Sequence, residues 1–343
     1  MTSAQPTTGR SRAADRAGLI RLALAGDTML GRGVAERLRE NPRTPLIAPE
    51  VAEAAASADR FVLNLECCIS DRGERFADPR KPFFFRAPPI AAQRLAELGV
   101  DAVTLANNHA LDYGPVALLD TLEHLDAAGI AHVGAGADVA AARAPVILDG
   151  LRIVAAGDHP GAFAATAGRP GIAYADLRGR GAPAWLLDAA RPGPDAATVL
   201  VTPHWGPNMR PEPLPTVRKA AAALVAAGAT LVAGHSAHVF QGVAGRVLYD
   251  LGDFLDDYAV DSGLRNDLGL LWLVDVDRGG PRRIEALPLK LDFCHTRLAT
   301  GDDAAWIRRC FTRHCARLGT EVREDDGRLV IAYAPDARAT EAT

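Results

Sequence analysis

The sequence predicts an α/β fold whose first part is a mostly parallel sheet and whose last part is antiparallel. Three observations predict it. From residue 19 onward, short apolar runs alternate with longer amphipathic stretches, the pattern of strand–helix–strand units. From Val239 onward the apolar runs are joined by Gly-rich turns instead of helices. Apolar residues make up 48% and charged residues 23% of the 343, enough to close a substantial core.

The elements follow in order. "LIRLALAG" (19 to 26), "RFVLNLE" (60 to 66), "DAVTLAN" (101 to 107) and "AHVGAG" (131 to 136) read as strands ending in turn residues. Between them, 89 to 98 and 114 to 128 carry helical spacing. In "APVILDGLRIVAAGD" (144 to 158) two apolar runs flank Asp149-Gly150, a pair that tolerates the positive φ of a two-residue hairpin. "ATVLVTPHWG" (197 to 206) is a strand, "VRKAAAALVAAG" (217 to 228) a helix closed by its glycine, and "TLVAG" (230 to 234) the next strand. "VFQGVAGRVLYDLGDF" and "LGLLWLVDVDRGGPRRIEALPLKL" read as antiparallel strands, "DDAAWIRRCFTRHCARLG" as a helix and "RLVIAYA" as a last strand. No repeat or long linker divides the chain. Residues 1–18 are expected to be a disordered tail, 19–298 the main domain, and 299–343 a helix and strand packed on it with a frayed end.

Composition narrows the function. A net charge of -4 and a pI near 6.1 argue against a nucleic-acid partner. The five cysteines are odd in number and form no CxxC pair, which points to a reducing cytoplasm and not to a secreted disulfide framework. The N-terminus lacks an apolar h-region, and no run reaches the roughly 18 to 20 apolar residues of a membrane span. A cytoplasmic protein without a membrane anchor is expected.

Sites in α/β sheets form where strands end. Five strand ends here carry metal-capable side chains: Asp27, Glu66, Asn107 with Asn108 and His109, His204, and His235 with His238. Each follows a short apolar run, so each is expected to project from the same edge of a parallel sheet. Singly, such residues are turn formers, and Asp27 could cap a helix. Together they form a donor set of carboxylate, amide oxygen and imidazole, suited to one or two divalent ions such as Mn, Fe, Co or Zn. Glu66 is placed to bridge two ions. His124, His132, His159, His295 and His314 are expected to be exposed or satisfied in the core, with Cys310 and His314 as packing residues.

The ordered set "GDTMLGR", "NLE", "LANNHALDYG", "HWG", "GHSAHVFQGV" and "LYDLGDF" resembles the CapA family of poly-γ-glutamate capsule-synthesis proteins, a branch of the calcineurin-like metallophosphoesterases. The resemblance covers about residues 19 to 295. It implies a four-layer α/β/β/α sandwich of two mixed sheets flanked by helices. It also implies that Asp27, Glu66, Asn108, His204, His235 and His238 are metal ligands and that His109 protonates the leaving group. The chain departs from that family in four places. Met29 stands where phosphoesterases carry a ligand histidine, and Ala110 where an acidic residue follows the Asn-His pair, although Asp112 is close by. Ser236 and Ala237 interrupt the histidine cluster, and Gly252-Asp253-Phe254 replaces Gly-Asn-Phe.

The function expected from this set is hydrolysis of a phosphoester or related bond by water that a divalent ion has acidified, linked to capsule synthesis. His109 would be the general acid, with a pKa near neutrality. Arg32 and Arg210 are candidates to hold an anionic small-molecule, peptide or polymer substrate by forked hydrogen bonds. Asp253 is expected either to orient a ligand histidine or to belong to a solvated acidic loop. Two alternatives keep the pocket: a metal-assisted peptide epimerase or other peptide-modifying enzyme, and a non-catalytic polymer-binding component of a poly-γ-glutamate assembly.

Overall fold

The computed structural model describes residues 18–179 and 181–333. The N-terminal tail up to residue 17 and the C-terminal end beyond 333 lie outside the described residues. Among the described residues, no helix is long and apolar enough to cross a membrane.

Two large sheets face each other. The larger runs, edge to edge, through Arg323–Asp325, Arg328–Ala332, Gly280–Asp292, Leu268–Asp277, Ile20–Thr28, Arg60–Leu65, Ala102–Thr104 and Ala131–Val133. Its half from Ile20–Thr28 to Ala131–Val133 is parallel, and the half from Leu268–Asp277 outward is antiparallel. The smaller sheet runs Val243–Ala244, Val247–Leu248, Leu231–Ala233, Thr198–His204, Leu151–Gly157 and Val146–Leu148, with its four central strands parallel.

Period-2 alternation sorts each strand's side chains between two cores. Leu22 and Leu24 enter the layer between the sheets, where Leu200, Leu231 and Trp272 meet them, while Ala23 and Ala25 face the outer helices. Helices Arg32–Glu40, Pro49–Ala56, Ile90–Glu97 and Gly114–Ala127 cover the larger sheet through Leu38, Val51, Leu95 and Leu118. Helix Pro215–Ala227 covers the smaller one with Val217 and Leu224, on a core shared with Val199, Val201 and Val232. The architecture is the expected mixed α/β sandwich. Helix Gly301–Arg317 inserts Ile307 and Phe311 into the inter-sheet core beside Trp272, and Cys310 is buried in the same core.

Two details differ from the linear reading. The run 131–136 breaks at Gly134, whose φ of 91° turns the chain, so Ala135–Gly136 leaves the sheet and pairs antiparallel with Gly171–Ile172. The segment after Val247–Leu248 is not a continued hairpin: it crosses to the larger sheet, where Asp253–Leu255 lies parallel to Ile20–Thr28. The Asp149-Gly150 hairpin is present, with φ of 46° and 82°.

The crossing is tight at Gly26. A Cβ there would lie 1.7 Å from the Gly252 carbonyl oxygen, and Asp27 N–H donates to that same oxygen at 2.9 Å. Gly26→Ala must therefore part the two segments, and its urea unfolding midpoint should fall by the equivalent of about 1–3 kcal/mol. An unchanged midpoint would show that the contact can relax.

Candidate metal centre

The parallel strands of both sheets end on one side, where Asp27, Glu66, His204, His235 and His238 come together. They come from two sheets, not from one sheet edge as the linear pattern suggested: Asp27, Glu66 and Asn108 follow strands of the larger, His204 and His235 strands of the smaller. The face-to-face packing supplies the junction, with His204 and His235 bridged to each other.

Asp27 sits at a register shift in the pairing with Arg60–Leu65, a bulge that re-aims its side chain. It is 1% exposed. Its Oδ1 accepts from Asn64 Nδ2 at 2.8 Å, and its Oδ2 from Ser236 N–H at 3.3 Å. His235 Nδ1 lies 3.4 Å from Oδ1 and His238 Nδ1 3.2 Å from Oδ2. Ser236 and His238 both adopt positive φ, 108° and 57°, backbone that non-glycine residues avoid. This strained turn is what aims two imidazoles three residues apart at one carboxylate.

Glu66 is fully buried, and neither carboxylate oxygen has a hydrogen-bond partner. Three imidazole nitrogens surround it: His238 Nδ1 at 3.8 Å and His109 Nε2 and His204 Nε2 each at 3.9 Å. These distances are too long for hydrogen bonds. Asn108 Oδ1, His204 Nδ1 and His235 Nδ1 are likewise buried without a hydrogen-bond partner. A buried carboxylate without a hydrogen bond, ringed by imidazoles from three segments, fits a cation better than it fits a hydrogen-bond network. Asp27, Glu66 and His238 form a possible metal-binding triad, with ligand atoms within 4.8 Å of one another.

The electrostatics follow from burial. Burial pushes Glu66 well above the usual carboxylate range, and the charge on Asp27 adds to it. Burial raises Asp27 too, but the adjacent imidazoles of His235 and His238 outweigh it and hold the carboxyl well below its ordinary value. Burial alone would depress His238; Asp253, Glu66 and Asp27 instead hold it well above. His204 is drawn well below by burial, in spite of the charge on Asp27.

His109 is held from behind. Its Nδ1 meets Asp112 Oδ2 at 2.6 Å, and Asp112 also accepts from Phe85 N–H at 2.6 Å and pairs with Lys81 Nζ at 2.8 Å. Phe85 packs on the ring, with centroids 4.2 Å apart. Burial draws His109 down to about 4 in spite of Asp112. This differs from the near-neutral acid expected from the sequence: at pH 7 the ring is neutral, and the hydrogen-bond pattern assigns its proton to Nδ1, leaving Nε2 turned toward Glu66 as an acceptor.

The remaining candidates separate. Asn107 holds the loop, donating to Asn64 Oδ1 and Leu65 O and accepting from His109 N–H. Asp253 Oδ1 takes His238 Nδ1 at 2.8 Å and is buried, not part of a solvated loop. Arg32 is paired with Asp257 and stacks over Phe85 at 4.9 Å, beside the pocket. Arg210 stands apart: it is exposed, and its guanidinium reaches no site side chain among the described residues. Met29 turns its sulfur to Gly31 N–H at 3.0 Å.

Several residues were given no role from the sequence. Asn64 opens the NLE motif and Lys81 lies between motifs; they act on Asp27 and Asp112. Tyr258 packs edge-on against His238, with centroids 5.3 Å apart. Asp250 receives Ala237 N–H at 2.8 Å and so fixes the histidine turn. His159, expected to be unremarkable, lies beside His204 with ring centroids 5.4 Å apart. "AAGDHP" ends a strand just as the other motifs do, and that signal was available.

The chain matches the family model described as bacterial capsule synthesis protein PGA_cap over residues 21–258. It is 34% identical to a probable polyglutamine synthesis accessory protein of Mycobacterium tuberculosis, covering 89% of this chain and 93% of that protein. It is 28% identical to the capsule biosynthesis protein CapA of Bacillus anthracis, over 69% of this chain and 60% of the relative. It is 26% identical to the PGA biosynthesis protein CapA of Bacillus subtilis, over 80% and 72%.

The depressed His109 has a consequence for stability. Unfolding returns the ring to its ordinary 6.5, so below that pH the unfolded chain binds one more proton than the folded one. Its contribution is complete above pH 6.5 and is lost as pH falls toward about 4. In chelator-treated protein, His109→Gln should remove about 3 kcal/mol of acid-dependent destabilisation over that window, read from urea unfolding at stepped pH. Parallel stability-versus-pH curves for the two proteins would contradict it.

Proposed function

The chain belongs to the bacterial capsule synthesis protein family, and on that premise we propose that it is a metal-dependent hydrolase. It would act on a phosphoester or related bond of an anionic substrate in polyglutamate or capsule synthesis, the processes for which its relatives are named. The observation that carries this reading is Glu66, a fully buried carboxylate left without a hydrogen bond amid three imidazoles and Asp27. A buried, unpaired carboxylate costs several kcal/mol, which a bound cation offsets.

Asp27, Glu66, Asn108, His204, His235 and His238 are the residues that would hold one or two divalent ions. A cation bound there supplies Lewis acidity and lowers the pKa of water toward ~7. The chain's own residues do the rest. Asp253 holds the Nδ1 edge of His238 beside Asp27 and Glu66, and Asn64 fixes Asp27, so these side chains are oriented before anything binds. His109 Nε2, facing the pocket, takes up the proton that the attacking water gives up and passes it to the leaving group, while Asp112 balances the charge the ring carries in between. Lys81 keeps Asp112 in place by binding both its carboxylate and the Asn108 carbonyl. The stacked guanidinium of Arg32 lies at the same mouth and favours an anionic substrate.

Untagged protein should contain one or two equivalents of Mn, Fe, Co or Zn by elemental analysis, and Asp27→Ala or His235→Ala should lower that content at least about tenfold. With Mn²⁺ the protein should turn over p-nitrophenyl phosphate or its bis-ester, and His109→Gln should cut kcat by about 10²–10⁴. Full metal content with no turnover of either ester would count against hydrolysis.

A further inference from the structure

We propose that Arg32 is a positioning residue for two imidazoles at once: its guanidinium props the Phe85 ring that packs on His109 and the Tyr258 ring that packs on His238. This role goes beyond the attraction of an anion, and it rests on the reading of His109 and His238 as members of one reacting centre.

Arg32 opens helix Arg32–Glu40 with a φ of 42°, a backbone conformation that a non-glycine residue adopts at a cost. Asp257 holds it there. Its Oδ1 accepts from Arg32 Nε at 3.0 Å and from Nη2, and its Oδ2 accepts from Gly33 N–H at 2.9 Å. With one edge of the guanidinium fastened, its plane is set and its flat faces are left for aromatic rings. Cζ lies 4.9 Å from the Phe85 centroid, 5.3 Å from that of Tyr258 and 5.8 Å from that of Phe83. The Phe85 and Tyr258 centroids are themselves 5.8 Å apart.

Each of these two rings continues to an imidazole. Phe85 packs on His109 with centroids 4.2 Å apart, and its N–H donates to Asp112, which takes Nδ1 of the same imidazole. Tyr258 meets His238 edge-on, at 87° and 5.3 Å. His109 follows strand Ala102–Thr104 of the larger sheet, and His238 follows strand Leu231–Ala233 of the smaller. Two imidazoles from different sheets are therefore backed by two rings that share one guanidinium. A salt bridge serving stability alone needs Asp257 but no ring that touches the site. Charge and shape separate the two roles of Arg32: an anion requires the positive charge, whereas the rings require the flat face. Lysine keeps the first and loses the second.

The test compares the full-length parent with Arg32→Lys, which keeps a cation beside Asp257, and with Arg32→Ala, each checked first by thermal unfolding. In chelator-treated, histidine-labelled protein, both variants should shift the ring NMR signals of His109 and His238 together, leaving those of His124 and His314 in place. With Mn²⁺ and p-nitrophenyl phosphate, Arg32→Lys should keep the parent's KM and lose about tenfold in kcat. Parent-like His109 and His238 signals in Arg32→Lys, or a raised KM with unchanged kcat, would overturn the positioning role and leave charge as the contribution of Arg32. Paired shifts of the two imidazoles in a protein that turns over no ester would uphold it and sink the hydrolase reading alone.

Discussion

Two carboxylates, Asp27 and Glu66, are buried where the two sheets meet, and much of the local structure follows from keeping that charge tolerable. Folding solves the problem for Asp27, which gathers Asn64, the Ser236 amide and two imidazoles. It leaves Glu66 unsolved, with both oxygens unpaired. An apolar residue of similar size would cost the fold less at that position. The arrangement therefore sacrifices stability for a cluster of oxygen and nitrogen lone pairs at Asp27, Glu66 and His238, a possible metal-binding triad.

The imidazoles around this point are held by carboxylates of their own. Asp112 takes Nδ1 of His109, Asp253 takes Nδ1 of His238, and Asp158 takes Nδ1 of His159. Backbone amides fasten two of these carboxylates in turn: Phe85 N–H on Asp112 and Gly206 N–H on Asp158. Each ring is thus tied to the chain trace through one intermediary, which fixes both its tautomer and its plane. His204 Nδ1 and His235 Nδ1, by contrast, have no hydrogen-bond partner among the described residues.

The departures from the family pattern take on meaning in this frame. Met29 directs its sulfur to a backbone amide, leaving Asp27 to be supported by Asn64 and the histidine turn. Ser236 donates its N–H to Asp27 and its hydroxyl to the Gly206 carbonyl, so the residue standing in for an imidazole ties the His235 turn to the His204 turn. Asp112, three residues after His109, reaches the ring that Ala110 cannot, because the intervening turn folds back on itself.

Strand and helix positions were legible because apolar periods of 2 and 3.6 are local properties of the chain, and so were most strand-end ligand candidates, since a polar group after an apolar run marks where a strand leaves the core. His159 escaped because its strand also reads as the second arm of a hairpin, which draws attention to the turn before it and away from the end after it. Lys81 and Tyr258 sit in irregular segments with no period to betray them. The sequence by itself determined which side chains lie at strand ends. Only the tertiary structure decided that those ends belong to two sheets, that the chain crosses between them before Asp253, and that burial lowers the proton affinity of His109. Sheet assignment, crossing and proton affinity all depend on which distant surfaces pack together and exclude water, and a run of apolar residues reads the same whichever sheet receives it.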